Sequence, residues 1–344
     1  MKVSDFDFKL PSELLAEFPS PKRDASKLML IDRSKGSISH HHFHEIPQFF
    51  RKGDLLLRNS TKVKPVRFLA RKEHAKGAKL EVLLLRLINH SSYEAFIDPL
   101  VKVKVGSSIL FGDGEFSGII TAIFDQRSVE LAFNHSGEDL EILLRKHGKM
   151  PIPRYIKRKP DEVDFDRYQT VYADKETALA APTSGLHFTH ELFNEIQNKG
   201  VEISDFNLEI GLGTFNPVYV DEVLDHKMHS EHFTISKQTA QKVNLQKEKG
   251  ERVIALGTTS IRASESAFKN GLVQAGDFDT EIFIYPPYQF QVADALITNF
   301  HTPRSTLLML VCAFGGYDLI MHAYQEAIRN NYRFYSYGDS MMIV

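Results

Sequence analysis

Between residues 79 and 133 lie five short apolar runs: Lys79–Leu87, Tyr93–Ile97, Ser108–Phe111, Gly118–Phe124 and Val129–Phe133. Gly, Asn and Asp punctuate them. Such spacing predicts short antiparallel strands that close into a small β-barrel or sandwich. A helix, Glu138–Lys146, and the proline-broken connector Met150-Pro151-Ile152-Pro153 follow. From there on the pattern changes. Helices are predicted at 189–199, 236–249, 305–314 and 317–330, and strands at 202–210, 252–256, 279–284 and 295–297. Upstream, Ser12–Ala16 reads as a short helix behind Pro11, and Leu28–Asp32 as a buried strand before the turn Ser34-Lys35-Gly36. Alternating strands and helices imply an α/β layer with mostly parallel strands. The expected architecture is a mostly parallel, barrel-like α/β domain, residues 1–65 and 150–344, interrupted by a small antiparallel β-barrel, residues 66–149. A length of 344 residues suits two cores better than one.

Composition narrows the function classes. The formal net charge is -2, so no global basic field draws in nucleic acid, and any such binding must use local patches. With one cysteine, Cys312, neither an intrachain disulfide nor a cysteine-rich metal site can form. The opening MKVSDFDFKLP carries acids early and has no apolar signal core. Leu307–Phe314, the longest apolar run, is far too short to span a bilayer. A reducing, aqueous compartment, the cytoplasm, is the expectation.

Several loops that follow predicted strands have unusual compositions, and in α/β domains ligand sites gather there. Gly211-Leu212-Gly213-Thr214-Phe215 offers close backbone approach and a hydroxyl, although a tight turn explains it as well. Gly257-Thr258-Thr259 precedes Arg262 and Glu265, which a helix would place on one face; taken alone, a capped helix with a surface ion pair is the simpler reading. Thr298–Thr306 combines Asn299, His301, Arg304 and Ser305 at a helix start, which suits a carboxylate or phosphate; a capped helix would also account for it. Ala181–Thr189 sets Thr183, Ser184, Gly185 and His187 before a helix, with His187 either a proton-transfer group or a packed core histidine. The tail Tyr332–Asp339 could stack a flat base or seal the core. His40, His41, His42 and His44 read as a solvated strand edge rather than a metal site. Two basic runs, Lys62–Lys79 and Arg145–Lys159, each hold seven Lys or Arg residues. They flank the β-module and are candidates for a nucleic-acid groove.

Together these segments resemble one family, the S-adenosylmethionine:tRNA ribosyltransferase-isomerases of queuosine biosynthesis. The resemblance rests on FDFKLPSELLAEFP, KRDASKLMLIDR, GDLLLRNSTKVKPVR, HGKMPIPRYIKR, RYQTVYA, AAPTSGLHFT, IGLGTFNPV, HKMHSEHF, ALGTTSIRASES, ALITNFHTPRSTLLMLVCAFGG and YRFYSYGDSMMIV. These run co-linearly from Phe6 to Val344. The chain departs from the family at Ser60 (usually Asp), Ser184 (Ala), Glu209 (His), Pro287 (Gly), Thr302 (Leu) and Arg304 (Lys). The resemblance implies transfer of the ribosyl group of S-adenosylmethionine to the aminomethyl group of a 7-deazaguanine at the tRNA wobble position. Rearrangement to an epoxycyclopentane follows, with release of adenine and methionine. It implies a monomer with no prosthetic group and no metal.

That chemistry needs a base next to the sulfonium, a neutral amine nucleophile, a hydrogen-bonded leaving adenine and a grip on the amino-acid tail. For proton transfer the candidates are His187 and His301, with Asp339 and Glu265 as carboxylate alternatives. Candidates for the cosubstrate are Thr183, Gly185, Phe188, Gly211, Gly213, Thr214, Thr258, Thr259, Arg262 and Asn299. Arg304 and the helix start at Ser305 are assigned the carboxylate, and Phe188 and Phe300 the sulfonium. Arg23, Asn59, Lys62, Arg67, Arg154, Lys157 and Arg158 are candidates for the tRNA side. A methyltransferase would need an early glycine-rich loop, which is missing here. A non-catalytic RNA binder would leave the polar loops unexplained.

Overall fold

The computed structural model describes residues 1–73, 77–124, 128–153, 155–211 and 218–344. The chain divides into two compact units. One comprises Met1–Lys62, Pro153–Arg158 and Arg167–Val344; the other comprises Val63–Ile152 and Lys159–Asp166.

The larger unit is built on a nine-stranded sheet. Its strand order is Gly276–Thr280, Glu231–Ile235, Glu202–Leu208, Leu55–Asn59, Val253–Leu256, Ala295–Asn299, Ser340–Ile343, Lys27–Asp32 and Ser37–His42. Four consecutive strands, from Glu202–Leu208 through Ala295–Asn299, run parallel. Lys27–Asp32 is parallel to Ser340–Ile343, whereas the remaining pairings, near the two flanks, are antiparallel. Among the described residues the sheet has two edges, Gly276–Thr280 and Ser37–His42.

The apolar pattern explains the middle of this sheet. Val253–Leu256 and Ala295–Asn299 are buried at every position, as expected of parallel strands covered on both faces. Leu56, Ile254, Leu256, Ile297 and Met342 pack on one face with Phe43, Phe188 and Phe193. Ala255, Leu296 and Met341 pack on the other with Phe300, Met309, Tyr324 and Phe334. Helices Thr306–Gly315 and Tyr317–Arg329 belong to that second layer. Between them Gly316 takes φ +85, a backbone state that a side chain would oppose. Cys312 is buried here, and burial pushes its thiol up to about 12.

The smaller unit contains a closed barrel of six antiparallel strands: Ser128–Phe133, Ser92–Asp98, Lys79–Asn89, Arg67–Lys72, Ser108–Phe111 and Phe116–Ile123. Five of them carry the apolar runs. The sixth, Arg67–Lys72, hides in a basic stretch because only Phe68 and Ala70 point inward. Phe68, Phe111, Phe116 and Phe133 fill the interior, with Phe111 and Phe116 stacked at 5.1 Å.

Two expectations shift. The short helix expected over Ser12–Ala16 is a single 3-10 turn, Ser12–Leu14. The strand expected over 279–284 is Gly276–Thr280, placed by its pairing with Glu231–Ile235. The histidine run forms the edge strand Ser37–His42, where His40 bonds the Tyr332 hydroxyl at 2.9 Å and His41 bonds Ser39 at 2.9 Å.

Candidate active site

Three parallel strands deliver their carboxyl ends to one cleft of about 740 Å³, part of it open to solvent. Ile210 arrives just after Glu202–Leu208, Gly257-Thr258-Thr259 after Val253–Leu256, and Asn299 to Thr302 at the end of Ala295–Asn299. Ala181 to Ser184 form another wall, with Ser305 and Leu307 beside them. Tyr155, Tyr335 and Ser336 complete the lining. Thus the 181–189, 257–259, 298–306 and tail segments, scattered in sequence, meet at one place.

His301 is the imidazole that lines the cleft among the described residues, beside the phenols of Tyr155 and Tyr335. Its Nε2 lies 3.0 Å from Thr298 Oγ1, and burial lowers its pKa to about 3. The imidazole is therefore neutral at physiological pH. When Nε2 carries the proton toward Thr298, Nδ1 is the basic atom.

Asn299 sits beside it. Its amide nitrogen donates to the carbonyls of Tyr335 and Ser336 at 3.0 and 3.3 Å. That orientation leaves its oxygen facing His187 Nε2 at 3.3 Å. The amide oxygen only accepts, so His187 carries its proton on Nε2, and Ser26 Oγ, 2.7 Å away, donates to Nδ1. Both ring nitrogens are engaged, and the ring stacks on Phe43 at 4.9 Å. Burial lowers the pKa of His187 to about 4. Its imidazole opens on a separate small recess with Arg23 and Arg167, not on the cleft. His187 thus faces Asn299 through Nε2 and Ser26 through Nδ1, and does not line the cleft.

Tyr155 and Tyr335 form an aromatic pair on the cleft, with ring centroids 3.9 Å apart. The Tyr155 hydroxyl bonds the Ser336 hydroxyl and accepts from Ser336 N–H at 2.8 Å. Tyr335 has φ +74, a strained backbone state for a bulky residue, held by its N–H bond to the Phe300 carbonyl at 3.1 Å. Sequence reasoning missed Tyr155, which lies in a basic run within HGKMPIPRYIKR, where the cationic residues drew the assignment. It also missed Ser26, the partner of His187.

Several candidates lie elsewhere. Asp339 accepts backbone N–H bonds from Lys27 and Arg333 at 2.9 and 2.7 Å, closing the chain's tail onto its first strand. Glu265 accepts from the N–H groups of Gln291 and Val292 and from Tyr288. Arg262 is buried and paired with Glu231, so it forms no surface pair with Glu265. Phe188 is fully buried, stacked 4.6 Å from Phe193, and cannot face a sulfonium. Gly185 is excluded as a lining residue because a Cβ there would fall 2.1 Å from the Tyr172 hydroxyl; its role is close packing. Arg304 turns outward to Asp7 at 2.7 Å and does not line the cleft, while Ser305 caps its helix by accepting from Leu308 N–H at 3.2 Å. Gly211 donates its N–H to Glu231 at 3.3 Å and has open space beside it. Gly213, Thr214 and Arg154 lie outside the described residues.

The proposed RNA contacts divide similarly. Asn59 is fully buried and bridges to Leu208, so it offers nothing to a nucleic acid. Arg23 spends its guanidinium on the Gln169 and Leu186 carbonyls. Lys62 pairs with Glu176 at 2.9 Å and Arg67 with Glu81 at 2.8 Å. Arg158 bonds the Glu17 carbonyl and lies over Phe18. Lys157 is exposed. Of the departures, Ser60 Oγ bonds the Phe206 carbonyl at 3.2 Å, and Thr302 and Ser184 line the cleft.

Comparison with known proteins fits this layout. The family model described as queuosine biosynthesis protein matches residues 3–343. The chain is 47% identical over 345 residues to the S-adenosylmethionine:tRNA ribosyltransferase-isomerase of Halothermothrix orenii, covering 100% of both chains. It is 46% identical over 345 residues to the corresponding protein of Symbiobacterium thermophilum, again covering 100% of both. The crystal structure of S-adenosylmethionine tRNA ribosyltransferase from Thermotoga maritima matches with a TM-score of 0.56 and 33% identity, covering 99% of this chain and 100% of that one. On this similarity over its full length, the chain belongs to the queuosine biosynthesis family of S-adenosylmethionine:tRNA ribosyltransferase-isomerases.

Proposed function

We propose that this enzyme moves the ribosyl group of S-adenosylmethionine onto the aminomethyl group of a 7-deazaguanine at the tRNA wobble position and isomerises it to an epoxycyclopentane, releasing adenine and methionine. The observation that carries this reading is the cleft itself. It joins the close, tilted Tyr155–Tyr335 pair to a neutral histidine, and no Lys or Arg stands among its described lining residues. A sulfonium is a cation. It is favoured by aromatic faces and would be repelled by the basic side chains that phosphate sites use.

The residues divide the work by chemistry. His301 is the candidate base, since its burial keeps it unprotonated and therefore able to accept a proton next to the sulfonium. Tyr155 and Tyr335 supply π faces for the adenine ring or the sulfonium. Asn299 ties Tyr335 and Ser336 to the strand end, so the aromatic wall and the base share one rigid element. Lys157 is a candidate contact on the tRNA side.

The test follows both products. The protein is mixed with ribose-labelled S-adenosylmethionine and tRNA bearing the aminomethyl precursor. Adenine and methionine should appear in equal amounts, with the ribose label in tRNA. No ribose label in tRNA, no adenine, or, in a parallel reaction with methyl-labelled S-adenosylmethionine, a methyl label in tRNA would sink the proposal.

A further inference from the structure

The helix Thr258–Ala267 begins at the cleft without a side-chain cap. Its N-cap is Gly257, with φ +86, and its first turn contains no acid. The backbone N–H groups of Thr258 and Thr259 have no acceptor among the described residues. Uncapped N–H groups at a helix start carry about half a positive charge. A second, independent feature lies at the same spot. Thr259 is 7% exposed, lines the cleft, and its hydroxyl has no hydrogen-bond partner. A buried hydroxyl left unpaired is costly, and a bound ligand would satisfy it. Ser184 stands across the turn: a Cβ built on Gly257 would lie 3.4 Å from Ser184 Oγ and 3.6 Å from Thr259 Oγ1. Two N–H groups and two hydroxyls therefore surround one small volume.

We infer that this turn holds the α-carboxylate of the cosubstrate's amino-acid tail, an inference that rests on the ribosyl-transfer reading above. A carboxylate offers two oxygens and one negative charge, matching two N–H groups, two hydroxyls and a fractional positive end. A phosphate would bring more charge to a wall that has no Lys or Arg among its described residues. At the other helix start on the cleft, Ser305 Oγ already occupies the capping position by accepting from Leu308 N–H, and Arg304 beside it is engaged by Asp7. The carboxylate grip thus falls to the backbone of 258–259 rather than to an arginine.

Equilibrium binding of S-adenosylmethionine and of its decarboxylated analogue to the full-length protein tests this. Wild type should bind the decarboxylated compound about tenfold or more weakly. Thr259→Val should weaken S-adenosylmethionine several-fold, leave the analogue nearly unchanged, and so narrow the gap. Thr259→Ser, which keeps the hydroxyl, should restore it, and this separates lost recognition from a damaged fold. Equal weakening of both ligands by Thr259→Val, or of neither, places the carboxylate elsewhere while the enzymatic reading stands. Loss of tRNA affinity with S-adenosylmethionine binding unchanged assigns the turn to a phosphate and overturns the inference. A wild-type protein that binds neither small molecule, with the precursor tRNA present as well as absent, removes both this inference and its parent.

Discussion

Asn299 turns its amide oxygen toward His187 Nε2, 3.3 Å away, because its nitrogen is committed to the Tyr335 and Ser336 carbonyls. The histidine in the 181–189 segment therefore acts on the cleft through the asparagine. It orients the group that holds the aromatic tail in place.

Asn299→Asp tests this directly. A carboxylate against Nε2 favours the imidazolium, so the His187 midpoint, about 4 in the wild type, should rise toward neutrality. The variant also loses its donor to two carbonyls, at a cost of about 1–3 kcal/mol. Histidine-resolved NMR titration and chemical denaturation read the two effects. A midpoint that stays put would mean that Nε2 does not face residue 299.

Acid should weaken the fold early. His187 and His301 are buried and neutral, with pKa values lowered to about 4 and about 3. In the unfolded chain each titrates near 6.5. Below that pH the unfolded state gains protons that the native state refuses, so stability falls with pH, by roughly one kcal/mol per unit for each histidine. The Asp339 carboxyl, pushed up by burial, works in the opposite sense, but only around the carboxylate range. Denaturation between pH 6.5 and 5 isolates the histidines. The double variant His187→Asn, His301→Asn should flatten that slope, and an unchanged slope would assign it to other groups.

His301→Gln should lower kcat by about 10²–10⁴ if the imidazole accepts the proton. Glutamine can still bond Thr298, so S-adenosylmethionine affinity should stay within a few-fold. Turnover within tenfold of wild type would remove His301 from the chemistry.

Much of the fold was legible because burial is written in the apolar pattern. Val253–Leu256 and Ala295–Asn299 read as strands since both faces are covered. The barrel strand Arg67–Lys72 was not legible, because basic residues bracket it, Leu69 faces outward and only Phe68 and Ala70 are buried. The loops that meet at the cleft could be recognised by composition, but which way each side chain points could not. His187 and His301 look alike in sequence, yet one has both nitrogens engaged and the other lines the cleft. Likewise Phe188 and Phe300 each adjoin a site histidine, and only Phe300 lines the cleft. Tyr155 becomes visible only once the tail's Tyr335 is brought against it, ring centroids 3.9 Å apart.

Glu265 separates a structural carboxylate from a catalytic one. It is buried, and its oxygens receive the Gln291 N–H at 3.1 Å and the Val292 N–H at 3.0 Å, with Tyr288 OH at 3.3 Å. It does not line the cleft. Glu265→Ala leaves the buried Val292 N–H and the partly buried Gln291 N–H without an acceptor and should cost about 1–3 kcal/mol of stability. Glu265→Gln keeps one acceptor but turns an NH₂ group toward those donors, so its loss should be intermediate. Below the melting transition both variants should keep S-adenosylmethionine affinity, and kcat should stay within a few-fold of wild type. Thermal melts paired with turnover at low temperature separate the two roles. A Glu265→Gln protein that melts like wild type yet has lost turnover by a hundredfold would return this carboxylate to the proton-transfer machinery.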